Sequence, residues 1–561
     1  METGAAEEGQ MSHMDLSRYL DFGQENDYRK LELPPPVKRR GRLGIEARAL
    51  AELSRIAFSE IAFKYPKGHL EGLAAMLDDQ RSSQRERFVI ETLLRNAAVA
   101  AEGLFPTCQD TGTALIYGWK GELLNCGNSP SLPGEKGAWK RKGAEDEAAA
   151  PGDIASLLAE GAGKAYAERR LRASQLGPLN ALAEGNTKDN LPALVDIRAV
   201  PGDSLRLLFA AKGGGSTSRT SLSMESPAML RTQALKTQLE ARIRGLGVAG
   251  CPPYTIAAVL GGASLSQTLY ALELASYGLL DGLSKEATGD GTPVRSQEWE
   301  EIMAEIAAET GLGAQWGGRQ LALDTRFIRL SRHAATLPFA LGISCSAHRK
   351  ARAFVNNQGW YLEKMEEDPA RLLPRSVNLL PGAVEIDFDT PKAVWLEKLR
   401  SLRAGDPLLL SGSVTLARDA AHARIAASMR EKAAAPAYMT EHPVFYAGPT
   451  EPAPGRVSGS FGPTTASRMD PYMEELTRVG ASLVSIAKGG RGAAAIKAIA
   501  ASKGAYIACI GGAAALTARE HLLESKVIDH ADLGMEAIRL VRLSRLPALL
   551  VIDSNGGNFY A

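Results

Sequence analysis

The chain has 561 residues, more than one ordinary core accommodates, so two or more domains are expected. Apolar residues make up 45% and charged residues 23%, and 65 basic against 64 acidic side chains leave a formal charge of +1, which excludes any global steering towards nucleic acid or a membrane surface. No apolar run is long enough to span a bilayer, and the acidic start METGAAEEGQ lacks the apolar stretch of a secretory or transit signal, so a cytoplasmic location is expected.

Residues 1–42 are polar, with Pro34, Pro35 and Pro36 beside Lys38, Arg39 and Arg40, and read as a mobile or surface-draped arm. Apolar residues at helical spacing follow at 45–64 and 81–101. The Lys-, Glu-, Gly- and Ala-rich stretch 133–153 reads as an exposed insertion, and helical patterns return at 154–173, 229–245 and 299–311. Two prolines in ARLLPRSVNLLPGAVE mark a linker at 373–385. Beyond it, short apolar runs at Leu408–Leu410, Leu483–Ile486, Tyr506–Ile510 and Ala548–Ile552 alternate with helical stretches at 416–430, 471–479 and 492–503, the pattern of an α/β unit. The expected fold is mixed α/β: a larger helix-rich N-terminal domain over 43–372 and a smaller α/β domain over 386–561.

An odd count of five cysteines argues against a disulfide framework. Cys108 in FPTCQDTG, Cys251 in GVAGCPPY and Cys345 in GISCSAHR each stand beside turn-forming or polar residues that could present a thiolate. Their spacing fits no local ligand pattern, and five buried small hydrophobes is the plainer reading of the count alone. Cys509, inside AYIACIGG, reads as core, and Cys126 lacks the setting of the other three. Gly245, Gly247 and Gly250 match the spacing of a dinucleotide fingerprint but follow a helix-like segment instead of a strand. The Gly-rich AKGGGSTS at 211–218 lacks the ending of a P-loop and suits a backbone nest for an anion. Three loops of the last third offer cations: LARDAAH with Arg418, SGSFGPTTASRMD with Arg468, and AKGGRG with Lys488 and Arg491. Singly these are ordinary surface turns; together they suit the clamping of carboxylates.

In chain order, CQDTG, AKGGGS, CPPY, RHAA with GISCSA, ARDAAH, YAGP, SGSFGPTTASRMD, IAKG, IGG and DLGMEA resemble the class I fumarases, iron–sulfur hydro-lyases. The resemblance runs from about residue 45 onwards and implies a homodimer whose active site lies between a cluster-binding N-terminal domain and a C-terminal α/β domain of swivelling type. It implies a 4Fe-4S cluster held by Cys108, Cys251 and Cys345, with one iron left open as a Lewis acid. It implies that Arg172, Arg418, Arg468 and Lys488 hold the two carboxylates of fumarate or S-malate, with hydrogen bonds from Gln109 and the backbone of Gly215. It further implies Thr464 as base and Asp110, also a substrate contact, as acid, with His333 close by. Where the family has SANK, CPPYH and CSAD, this chain has Ser216-Thr217-Ser218-Arg219, Thr255 and His348. These departures leave tartrate dehydration and mesaconate hydration open as alternatives. An iron sensor is disfavoured by the neutral charge, and a nucleotide oxidoreductase by the context of the glycines.

Overall fold

A computed structural model of the protein describes residues 15–127, 153–375, 380–432 and 434–561. Most of the expected insertion at 133–153, and 376–379 of the expected linker, lie outside these residues.

The fold is mixed α/β, as expected. The expected helices form as Ala47–Ile61, Gln84–Ala101, Ile154–Glu168, Thr232–Leu246 and Gln297–Glu309. Leu50, Leu53, Ala57, Phe58 and Ile61 fall on one face of the first and are buried. That face meets Ile154–Glu168 at Gly161, where a Cβ would stand 2.0 Å from the Ala51 carbonyl oxygen, so only glycine permits the contact. Ser83 and Glu86 form a reciprocal cap at the start of Gln84–Ala101.

Two sheets accompany these helices. The first has the order Tyr28–Leu31, Gly359–Glu363, Lys350–Asn356, Leu205–Lys212, Thr113–Gly121, Leu194–Val200. The second runs Ser221–Glu225, Leu337–Ser344, Tyr254–Gly262, Ala322–Arg332, Val294–Arg295. Within the proposed arm, Tyr28–Leu31 pairs antiparallel with Gly359–Glu363, and Leu16, Tyr28 and Leu31 are buried, so residues 15–42 are built into the fold more firmly than a draped arm.

The third sheet holds strands from Val384 onwards: Val384–Asp387, Pro407–Leu416, Val444–Phe445, Val484–Ala487, Ala505–Cys509, Ile538–Ile552, Leu522–Asp529. Pro407–Leu416 also pairs antiparallel with Ile538–Ile552, closing five of these strands into a ring. The neighbours from Pro407–Leu416 to Ala505–Cys509 are parallel, and the loops after them gather at one end of the ring. Those loops carry Arg418, Gly448, Lys488 and Gly511. The carboxyl ends of parallel strands are where α/β folds place ligands.

The helix Gln84–Ala101 belongs by sequence to the first part but packs into the second. Its Val89, Ile90, Leu93, Leu94 and Ala97 share one apolar cluster with Tyr446, Tyr506, Leu549 and Val551. Its Asn96, fully buried, donates to the Thr107 carbonyl at 2.9 Å and accepts from the Leu516 backbone amide at 3.0 Å. One side chain thus ties the loop before Cys108 to the ring.

Candidate active site

The register of the second sheet brings two cysteines to one edge. Thr255 pairs with Ser344, so Cys251, just before one strand, and Cys345, just after the other, stand at the same end. The Ser346 amide donates to the Cys251 carbonyl at 3.0 Å. In the first sheet Thr113 pairs with Lys212, which sets the Cys108–Asp110 loop against Gly213–Gly215. Asp110 accepts from the Gly214 amide at 2.9 Å and from that of Gly112 at 3.2 Å.

The ring closes over this edge. The Lys488 ammonium donates to the Cys251 sulfur at 2.7 Å, and Gln109 donates to the Pro463 carbonyl at 2.8 Å. Gln315 donates to both the Pro252 and the Gly511 carbonyls at 3.0 Å and accepts from the Gly511 amide at 2.7 Å. Gly511 has no room for a side chain: a Cβ there would lie 2.3 Å from the Cys251 sulfur and 2.9 Å from the Lys488 Cδ. Both are ends of side chains that can move. Gly511→Ala is therefore expected to leave the fold's melting temperature nearly unchanged while displacing the thiol and lowering turnover roughly 10–100-fold, the usual cost of disturbing the support of a metal ligand. Melting curves beside turnover measurements check this.

Burial pushes the Cys108 thiol up to about 11, against the pull of Arg349. Burial also raises Cys251, opposed by Lys488. Burial would lower the Lys488 ammonium, but Cys251, Cys108 and Cys345 around it raise it instead. The ammonium thus contacts the Cys251 thiol and lies within electrostatic reach of those of Cys108 and Cys345. Asp110 would be raised by burial, yet Arg172, Arg349 and Lys488 hold it below the usual carboxylate range. Arg418 is buried and is pushed down to about 10 by burial and by its neighbour Arg172. One of its terminal nitrogens donates to Glu536 at 2.6 Å, and its Nε is buried without a partner, ready for an anion.

Of the residues expected in the site, the structure brings Cys108, Cys251, Cys345, Gln109, Asp110, Arg172, Gly215, Arg418 and Lys488 together. Gly215 lies against Lys488: a Cβ on it would be 3.5 Å from the ammonium. Thr464 is bonded to the site through its backbone, its amide donating to Tyr446 at 2.7 Å and its carbonyl accepting from Lys488 at 3.0 Å. Its hydroxyl makes no hydrogen bond among the described residues. Arg468 is largely exposed and pairs through two nitrogens with Asp419, whose neighbour in sequence is Arg418.

His333 is not brought in. It is exposed, in the turn between Ala322–Arg332 and Leu337–Ser344, and its Nδ1 accepts from the Ala335 amide at 3.1 Å. The eight-residue strand Leu337–Ser344 separates it from Cys345, roughly 25 Å along the chain. Within one chain it does not reach the thiols. The sequence reading also missed Arg349, Asn96, Gln315 and Glu536. Arg349 stood four residues beyond Cys345, and Glu536 stood within DLGMEA, both in segments already singled out, whereas Asn96 and Gln315 carry no signal outside the fold.

Among the described residues, no group of three or more His, Cys, Asp or Glu is arranged to hold a single metal ion. The thiols instead suit a polynuclear group, whose ligands attach to different irons. The donor set supports that fit: three cysteines, cations that favour thiolates, and a close-approaching glycine backbone behind Cys251. A separate cavity of about 660 Å³ lies between Gln84–Ala101, residues 380–383 and the ring. It is mainly apolar, and its Arg95 and Arg545 are paired with Glu520 and Glu385, so it lacks the free cations a dicarboxylate requires.

Comparison with known proteins finds relatives along most of the chain. The family model described as fumarate hydratase matches residues 51–131 and 141–354, and that described as fumarase C-terminus matches 359–561. Fumarate hydratase 2 of Leishmania major is 38% identical over 92% of this chain and 88% of its own length. The aerobic class I fumarate hydratase of Escherichia coli K12 is 38% identical over 92% of this chain and 90% of its own. A putative L(+)-tartrate dehydratase subunit beta of Methanocaldococcus jannaschii is 30% identical over 29% of this chain and 85% of its own.

Proposed function

The chain belongs to the class I fumarate hydratase family of hydro-lyases, and from that we propose that it interconverts fumarate and S-malate at the site between the thiol edge and the ring. The family depends on iron and sulfur. The finer reading is that Cys108, Cys251 and Cys345 hold a 4Fe-4S cluster, and the observation that carries it is the convergence of these three cysteines, from three separate loops, around Lys488. When bound, the cluster supplies Lewis-acid polarisation at the iron that lacks a protein ligand.

The chain's own residues do the rest. Arg418, Arg172 and Lys488 are buried or half-buried cations on both sides of the cleft, and they would take the two carboxylates of the substrate. Removing the proton next to a carboxylate piles further charge on that carboxylate, and fixed cations stabilise it without reorganising. Asp110, held by the Gly214 amide, accepts a proton from water in hydration and returns it in dehydration. Thr464, with its backbone fixed on both sides and its hydroxyl free, takes the base role. Arg468 stands at the cleft's rim on Asp419. Arg468→Ala should raise KM and lower kcat/KM roughly 10–100-fold, the loss of one charge-assisted contact. Steady-state kinetics over a malate range checks it.

Fumarate is favoured over tartrate because fumarate hydratases align over 92% of this single chain, whereas the tartrate dehydratase subunit aligns over 29% of it. Anaerobically prepared protein assayed on fumarate, mesaconate and tartrate decides the substrate. Turnover should be highest with fumarate and fall in air; a higher kcat/KM for either of the others overturns the reading.

The domain division near 373–385 belongs to the same proposal. The last strand of the first sheet ends at Glu363, and the first of the ring's sheet, Val384–Asp387, begins two residues inside the proposed linker. A homodimer is supported by the edge strand Ser221–Glu225, which exposes Leu222 and Met224 beside the His333 turn. A residue such as His333 would reach a site only across such an interface. No helix among the described residues is long and apolar enough to cross a membrane. A cytoplasmic location is likewise proposed, and cell fractionation tests it.

A further inference from the structure

Arg349 lies at the join of the two N-terminal sheets. Cys345 follows a strand of one, Lys350 begins a strand of the other, and the Arg349 backbone is pinned between them. Its amide donates to the Ala347 carbonyl and its carbonyl accepts from the Ala211 amide, both at 3.0 Å. The residue is 2% exposed, and its Nε is buried without a partner. Its guanidinium makes no hydrogen bond or ion pair among the described residues. Other buried cations nearby are matched: Arg418 to Glu536, Arg491 to Asp470, Lys212 to Glu273. A buried cation with no direct ion pair is costly, so this one calls for a bound anion beyond the nearby Asp110 carboxylate.

The anion is identified by what surrounds it. The strongest electrostatic neighbours of Arg349 are Cys108, Asp110 and Cys345. Its guanidinium and the Asp110 carboxylate flank Gly213, where an added Cβ would lie 3.6 Å from Nη2 and 3.0 Å from Oδ2. Arg418 stands with Arg172 and Arg468, while Asp110, which Arg172, Arg349 and Lys488 all influence, links those cations to Arg349. We propose that Arg349 is a positioning residue for the iron–sulfur cluster: its guanidinium offsets the charge of the cluster and of the Cys108 and Cys345 thiolates, retaining the cluster and raising its reduction potential. The proposal rests on the reading of the three cysteines as cluster ligands. Each electron added makes the cluster more negative, so removing a fixed cation disfavours reduction and weakens retention.

The test uses anaerobically reconstituted full-length protein, as wild type, Arg349→Gln and Arg349→Lys. Iron, acid-labile sulfide, rate of cluster loss to a chelator, and midpoint potential by redox titration with electron paramagnetic resonance are measured alongside kcat and KM. Arg349→Gln is expected to lose its cluster roughly 10–100-fold faster, as other disturbed metal supports do, and to show a more negative potential. Arg349→Lys, which keeps the charge, is expected to restore most of the potential. Wild type without iron and sulfide would sink the cluster reading itself. Wild type with a cluster, and a Gln variant equal to it in potential and retention, would sink only the Arg349 proposal. So would a raised KM at unchanged potential, which would place Arg349 on the substrate. If circular dichroism shows the Gln variant unfolded, the Lys variant decides: a folded Lys protein with a potential well below wild type overturns the charge argument.

Discussion

Cys108→Ser, Cys251→Ser and Cys345→Ser proteins are each expected to assemble no stable cluster and to lose turnover below detection. A serine hydroxyl holds its proton too tightly to replace a thiolate at neutral pH, and two remaining ligands leave a four-iron group open on two sides. The three positions come from three loops, so losing any one removes an independent anchor. Cys251 should be the most sensitive, since Lys488, Gln315 and Gly511 are all arranged about its loop. Cys126→Ser and Cys509→Ser provide the contrast. Cys126 ends the short strand Leu124–Cys126, and Cys509 is buried in the ring's apolar cluster, where burial holds its thiol far above the usual range. Both variants should keep iron and sulfide, and Cys509→Ser should lose roughly 1–3 kcal/mol of stability for burying a hydroxyl. Iron and sulfide analysis with the visible spectrum decides. A Cys251→Ser protein with full iron, sulfide and turnover would end the cluster assignment.

Thr464→Ala is expected to lower kcat roughly 10²–10⁴-fold, the range for losing a general base, with cluster content and melting unchanged. The structural argument is that the Thr464 backbone carries the support. Its amide and carbonyl bond Tyr446 and Lys488, and an alanine keeps both. Only the hydroxyl goes, and it has no hydrogen bond among the described residues to lose. A threonine hydroxyl is a weak base in water; beside Lys488 and the clamped substrate its conjugate form is favoured by the same cations that hold the carboxylates. Deuterium exchange at the malate C3 position, followed by NMR, separates proton removal from loss of the hydroxyl group. Wild-type exchange in a Thr464→Ala protein with an intact cluster would transfer the base role to Asp110 or a bound water.

The parallel strands Pro407–Leu416, Val484–Ala487 and Ala505–Cys509 were legible in part because they contain short apolar runs divided by helices, whereas the two-residue Val444–Phe445 and the closure of the ring were not. Nor were the strands of the two N-terminal sheets. Tyr254–Gly262 and Leu337–Ser344 are buried at every position, so neither shows the alternation that marks a half-exposed strand. The cysteines and the loop cations were legible because chemistry presented on loops sits beside Gly, Pro and Ser. Arg349 was not, because nothing in a local pattern tells a buried, unmatched arginine from a surface one. His333 is the opposite case. Its motif position was clear, but its distance from Cys345 depends on the direction of a strand the sequence did not reveal. Asn96 and Gln315 are invisible for a further reason: each bonds residues distant in sequence, and only the packed fold brings those partners near.

The strand Ile538–Ile552 has a bearing on how the protein comes into being. It is hydrogen-bonded to three others, among them Pro407–Leu416, more than a hundred residues earlier in synthesis. Until it emerges from the ribosome, the ring stays open between Pro407–Leu416 and Ala505–Cys509, and the loops bearing Arg418, Lys488 and Gly511 lack a common frame. The thiol edge depends on no strand beyond Gly359–Glu363 and can form earlier. A nascent chain that folds in this order would leave the thiol edge uncovered until the late strand arrives.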